Sequence, residues 1–217
     1  MSKAPQHKTL ILACGALAKE IVHLTKQFGQ NADLQCLPAG FHNTPQKIVP
    51  ALKTILDERA SDYARVLIGY GDCGTGGGLD ALLGDYDNAT RIPGAHCYAF
   101  YSGLQSFDAM MEDELGTFFL TDYLVKHFDS LIIKGMGLDR FPELRDTYFE
   151  HYKKLTYLAQ SEDDGLKMAA QNAALRLGLS FEYRYVGYGG LRAAISDFNM
   201  TQTATHSSQT QKGLQHV

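Results

Sequence analysis

A chain of 217 residues with 45% hydrophobic and 20% charged residues is long and apolar enough for one sizeable core, which excludes a disordered or a disulfide-stapled miniature protein. Twenty Lys and Arg against 24 Asp and Glu leave a formal charge of −4, without the basic footprint of a nucleic-acid binder or of a membrane-surface protein. No apolar run reaches about eighteen residues and Met1 to Lys8 is polar, so neither a transmembrane helix nor a secretory signal is expected, and the expected location is cytoplasmic. Along the chain, residues 1–8 read as a flexible N-terminus. Thr9 to Ala13 is a short apolar run suited to a buried strand, and Leu17, Ile21, Leu24 and Phe28 then fall on one helical face. Leu34 to Pro38 predicts a second strand. Asn43-Thr44-Pro45 predicts a helix start, followed by the stripe Ile48, Leu52 and Ile55. Arg65 to Tyr70 predicts a third strand, ended by a glycine run, with a short helix over Leu79 to Leu83.

Arg91 to Tyr98 reads as a fourth strand interrupted by Pro93-Gly94. Helices are predicted over Gly103 to Met111 and Thr117 to Phe128, and a fifth strand over Ser130 to Lys134. Leu144, Tyr148, Tyr152 and Leu155 mark one further helical face, and Leu166, Ala169, Ala173 and Leu177 another, closed by Gly178 as a left-handed cap. Ser180 to Val186 predicts the sixth strand, before Gly187-Tyr188-Gly189-Gly190. Strands alternating with helices imply an α/β fold: a mostly parallel sheet of about six strands, helices on both faces, in a single domain over 9–198. Residues 199–217 are poor in apolar side chains and read as a disordered tail.

In open α/β sheets ligands bind beyond the strand C-termini. Cys14, His42, Asp72 and Cys73 fall after predicted strands, and His96 and Cys97 lie at the end of the fourth. Three thiols converging from three loops suit a zinc ion with an open position, completed by His42 or His96, or a [4Fe-4S] cluster with one free iron. Without a metal, two thiols facing each other could serve as acid and base on a carbon acid, and burial alone would explain one or two of them. His42, His96 and Asp72 are the candidate acid/base groups. Gly74, Thr75, Gly76 and Gly77 lie in a turn whose N–H groups could wrap an anion, though no Lys follows to make a P-loop. Asp139 and Arg140 could hold a substrate carboxylate or phosphate, or merely form a surface ion pair. Cys36, between Leu34 and Leu37, sits in an ordinary apolar setting.

Several longer stretches carry a resemblance. They are Ala13-Cys14-Gly15-Ala16-Leu17, Leu37-Pro38-Ala39 with His42-Asn43, and Tyr70-Gly71-Asp72-Cys73-Gly74-Thr75-Gly76-Gly77. Arg91-Ile92-Pro93-Gly94 with His96-Cys97-Tyr98, Gly116 to Asp122 and Gly137-Leu138-Asp139-Arg140 extend it. Together they resemble the uncharacterised family called domain of unknown function 1638. That resemblance brings no reaction with it. Because such proteins are often encoded beside corrinoid proteins and methylamine-type methyltransferases, it implies a place near corrinoid-dependent methyl transfer or one-carbon metabolism. The expected partners are a small anionic substrate and a corrinoid protein or methyltransferase, with a homo-oligomer open. A non-catalytic corrinoid- or metal-binding accessory role is the competing expectation.

Overall fold

The computed structural model describes residues 8–113 and 115–198. The two terminal expectations, a flexible start over 1–8 and a disordered tail over 199–217, lie outside these residues apart from Lys8. Strand β1 (Thr9–Cys14) is buried along its whole length. It lies between β2 (Ala32–Leu37) and β3 (Arg65–Gly69), and β4 (Ala89–Arg91) pairs with the far side of β3. Every pairing is parallel. The run Thr-Leu-Ile-Leu-Ala-Cys has no polar alternation because both faces of a central parallel strand are covered. Helix α1 (Ala18–Gln27) presses Ile21 toward Gly69, where a side chain would fall 2.9 Å from the Ala13 methyl. Helix α2 (Ile48–Arg59) buries Ile48, Leu52, Ile55 and Leu56 in the same core, and the short helix α3 (Gly78–Leu83) adds Leu79 and Leu82.

Between this sheet and a second one lie the short helices α4 (Ala99–Ser102) and α5 (Leu104–Asp113). The second sheet is also parallel, with the order β5 (Thr117–Thr121), β6 (Lys154–Ala159), β7 (Ser180–Tyr185). Ala99 and Phe107 pack with Phe119 and Leu158 of this sheet. Helices α6 (Asp122–Lys126) and α7 (Leu144–Phe149) fall between β5 and β6. Helix α8 (Asp164–Leu177) covers the sheet with Leu166, Ala170, Ala173, Ala174 and Leu177, and Gly178 ends the helix at φ 75°. A final helix, α9, over 189–198 returns to the first core through Leu191 and Ile195. Its glycines make that possible: a Cβ on Gly189 would sit 2.5 Å from the Tyr101 carbonyl oxygen.

The parallel α/β class is as expected, but among the described residues seven strands form two sheets where about six were expected in one. Three segments account for this. Residues 117–128, predicted as helix, split into β5 and α6. Thr117 to Thr121 is aromatic and β-branched enough to suit a pleated surface, and the Thr121 hydroxyl accepts from the Leu124 N–H at 3.4 Å to start the helix. Residues 130–134, predicted as strand, belong instead to a π-helical turn over Asp129–Ile133. Three consecutive apolar residues, Leu131, Ile132 and Ile133, do not distinguish the two by periodicity. Leu155, assigned to a helical face, lies in β6, because α7 ends early and the Lys153 N–H bonds the Gly116 carbonyl at 2.8 Å. The fourth strand is also shorter than expected: Pro93 interrupts the ladder, and Cys97 and Tyr98 lead into α4. No helix among the described residues is long and apolar enough to cross a membrane.

Candidate functional site: a cysteine-lined cleft

Two neighbouring loops build the site. After β3 the chain runs Tyr70-Gly71-Asp72-Cys73, and after β4 it runs Gly94-Ala95-His96-Cys97. The Asp72 N–H donates to the Gly94 carbonyl at 2.8 Å and the Cys73 N–H to the Ala95 carbonyl at 2.7 Å. Gly71 permits this approach, since a Cβ there would lie 2.8 and 2.9 Å from the His96 carbonyl carbon and amide nitrogen. The outcome is a sulfur–sulfur contact: Cys73 Sγ and Cys97 Sγ are 3.0 Å apart and share a hydrogen bond. Cys73 is the only non-glycine residue with positive φ among the described residues, at 49°. That conformation costs an ordinary side chain about 1–2 kcal/mol, and the loop stitching holds it.

The two thiols are electrostatically unlike. The bond from Cys97 holds the Cys73 thiol below its ordinary value against the opposing effect of burial, and backbone hydrogen bonds at Cys97 and Gly71 add to it. The same bond, with burial, pushes Cys97 well up. The shared bond thus favours ionisation at Cys73 and retention of the proton at Cys97, the two titrating as a pair. Cys14, at the end of β1, is buried and its thiol is pushed up to about 11, so it is neutral at pH 7. Cys36 pairs with Ala13 across the β1–β2 ladder and does not line the cleft.

Cys14, Cys73 and Cys97 all face one cavity between the sheets, with about 630 Å³ of empty space, part of it open to solvent. It runs into a wider outer cleft, and His42, Asn43, Tyr98, Leu124 and Ile132 line both. Among the described residues no Lys, Arg, Asp or Glu lines either one. The His96 ring stacks on Tyr98 at 5.0 Å, and His42 meets the Tyr98 edge at 6.3 Å. Loss of hydration in the cleft holds both imidazoles below the usual histidine value, less securely for His42, whose residue is exposed at the cleft mouth; His96 adds to this for His42, and Asp72 opposes it for His96. Both are neutral at pH 7, and His96 Nδ1 is buried without a hydrogen-bond partner.

The remaining candidates stand elsewhere. Asp72 turns away from the cleft into its own loop. Its carboxylate accepts from the Gly77 N–H at 2.8 Å, the Thr75 hydroxyl at 2.8 Å and the Gly76 N–H at 3.1 Å. Gly74, Gly76 and Gly77 all have positive φ, and the turn is indeed a nest of N–H groups, but its anion is internal. Those bonds, led by the one from Gly77, hold Asp72 below the usual carboxylate range. Asp139 and Arg140 are exposed on the turn after Gly137 and line neither cavity, whereas Gly135 and Met136 reach the outer cleft. Gly187 to Gly190 shape helix packing rather than the cleft.

Among the described residues no group of three or more His, Cys, Asp or Glu is arranged to hold a metal ion. Two sulfurs on one tetrahedral zinc stand about 3.8 Å apart, given Zn–S bonds of about 2.3 Å. Cys73 and Cys97 are closer than that. Sequence reasoning also passed over Tyr70, which is 2% exposed on the cavity wall with its hydroxyl lacking a partner. A tyrosine closing a buried strand just before a glycine run is the signal that was available.

Fold and site thus define a parallel α/β protein with a thiol-lined cleft at its strand ends. The chain belongs to the DUF1638 family, proteins of unknown function, whose family model matches residues 36–195. The matched span includes His42, Cys73, His96 and Cys97; Cys14 precedes it. Comparison with curated proteins and with solved structures found no match.

Proposed function

We propose that this protein is a small-molecule enzyme in which Cys73 is the nucleophile and Cys97 its proton-sharing partner. The 3.0 Å contact between their sulfurs at the base of an apolar cleft carries this reading. The contact favours one ionised sulfur over the other, and the strained Cys73 backbone is the kind of conformation that functional sites maintain. Two thiols already touching leave no room for a carbon atom between them. The arrangement therefore supports nucleophilic attack by one sulfur rather than acid and base on opposite faces of a carbon acid. The neutral imidazoles of His42 and His96 stand at the cleft wall as proton acceptors. A methyl group on a corrinoid cobalt, the donor that the family resemblance brings in, is one soft electrophile suited to such a thiolate.

The test is alkylation followed across pH, with each cysteine resolved by mass spectrometry. Cys73 should react first, with an apparent pKa below the value of about 8.5 of a free thiol. In Cys97→Ala that apparent pKa should rise. Preferential labelling of Cys14 or Cys97, or a Cys73 profile at or above the free-thiol value, would overturn the proposal.

A second reading keeps the metal. It is favoured by one observation: Cys14, Cys73 and Cys97 reach the same cavity from three strand ends. Zinc or iron would require the Cys73 and Cys97 sulfurs to spread, with His42 or His96 available as a further ligand. Elemental analysis of protein purified without oxygen separates the two, because only the metal reading predicts stoichiometric zinc or iron.

A further inference from the structure

The reading of Cys73 as nucleophile leaves open what it attacks, and the cavity wall narrows this. Tyr70 is 2% exposed and its hydroxyl is buried without a hydrogen-bond partner. Native interiors rarely leave such a group unmatched. The Cys14 thiol is beside it, close enough for a weak hydrogen bond to contribute to the shifts of both groups, but the pair does not meet the geometry of an ordinary hydrogen bond and leaves the hydroxyl free to turn to a stronger acceptor. The phenol is held far above its ordinary value by burial and by the three neighbouring cysteines, so it stays a donor throughout the working range. It shares the inner cavity with Cys73. Leu17, Ile48, Leu124 and Ile132 make much of the remaining wall apolar, His42, Asn43 and Thr121 add neutral polar groups, and among the described residues it offers no Lys or Arg. A bare anion there would lose its hydration and find no countercharge.

We infer that the substrate is an uncharged carbonyl compound, with the Tyr70 hydroxyl as the hydrogen-bond donor to its oxygen while the Cys73 thiolate adds. For a conjugated carbonyl the sulfur bonds to the β-carbon, and the π electrons shift until the charge rests on the oxygen facing Tyr70. The α-carbon then takes a proton from solvent or from Cys97, which gives a thioether without any oxidant or reductant. A buried donor aimed at developing charge acts only as that charge forms. This inference rests on the nucleophile reading, yet it fails separately from it.

Three probes distinguish the cases. Acrylamide places charge on a carbonyl oxygen as the thiolate adds. Iodoacetamide loses iodide in a displacement that places little charge there. Iodoacetate is the anionic counterpart of iodoacetamide. Tyr70→Phe should slow acrylamide addition to Cys73 by about tenfold or more, in line with the loss of one such donor, and leave iodoacetamide within about twofold. In the wild-type protein, iodoacetate should be disfavoured against iodoacetamide by about tenfold more than it is with glutathione, an arm that needs no variant. Equal slowing of both neutral probes, no slowing of acrylamide, or iodoacetate reacting in the glutathione ratio would overturn the inference. Should none of the three label Cys73 in wild-type protein at neutral pH, the nucleophile reading itself falls.

Discussion

Gly71 and His96 are in backbone contact: a Cβ on Gly71 would fall 2.8 Å from the His96 carbonyl carbon and 2.9 Å from its nitrogen. This approach, reinforced by the hydrogen bonds from Asp72 and Cys73 to the facing loop, sets the distance between the two site thiols. Gly71→Ala must therefore part the loops. Overpacking of this kind costs about 1–3 kcal/mol, which for a domain of this size lowers Tm by about 2–12 °C. The same variant should raise the alkylation pKa of Cys73, since the Cys97 bond lengthens. Calorimetry and a labelling profile check both parts. An unchanged Cys73 profile in a destabilised protein would show that the contact does not depend on this approach.

Asp72 serves the loop, so its substitution tests the loop rather than the chemistry. Asp72→Asn removes the charge shared among Gly76, Gly77 and Thr75 and should cost about 1–2 kcal/mol, at the low end because the residue is partly exposed. The sign with pH follows. A carboxylate whose folded pKa is depressed stabilises above its unfolded value, near 3.9, and loses that contribution as pH falls through the folded one. Wild type and Asp72→Asn should thus differ in urea midpoint at pH 6, and the gap should shrink as pH falls below the ordinary carboxylate range. A gap that persists at low pH would mean that the charge is not what matters.

Cys14 separates the two readings of the thiols. It is buried, neutral and outside the Cys73–Cys97 hydrogen bond. Cys14→Ala should leave the alkylation pKa of Cys73 within a few tenths of a unit, at a stability cost of about 1 kcal/mol for the small void. If wild-type protein carries metal and this variant loses it while Cys36→Ser does not, the metal reading takes precedence.

The two cleft histidines give a pH dependence of opposite origin to that of Asp72. Their folded pKa values lie below the unfolded value of about 6.5, so in that interval the unfolded chain binds more protons. Stability therefore rises with pH, is complete above about pH 6.5, and declines on acidification toward the folded values. Urea midpoints at pH 7.5, 6.5 and 5.5 should fall in that order. The slope should flatten in the double variant His42→Gln with His96→Gln; an equal slope in the double variant would assign the effect to other groups.

Much of the fold was legible in local pattern. The runs at β1 and β3 are unbroken because central parallel strands are covered on both faces, and α8 shows its spacing and its Gly178 cap openly. What stayed hidden were β5, β6 and the turn over Asp129–Ile133, segments of five or six residues whose few apolar side chains fit either period. Their state was decided by partners distant in sequence, as with the Lys153 N–H bonded to Gly116. The division into two sheets depended on these same segments. For the site, the rule that parallel strands gather their C-terminal loops on one rim sufficed to bring Cys14, Cys73 and Cys97 together and to leave Cys36 aside. The composition of the chain, its parallel α/β class and that clustering follow from sequence alone. Tertiary structure decided that Cys73 and Cys97 touch and are shifted in opposite directions, where the Asp72 carboxylate turns and that the Tyr70 hydroxyl lacks an ordinary hydrogen bond. Each of those depends on a contact of a few ångströms between loops that only packing brings together, as Gly71 is brought against His96.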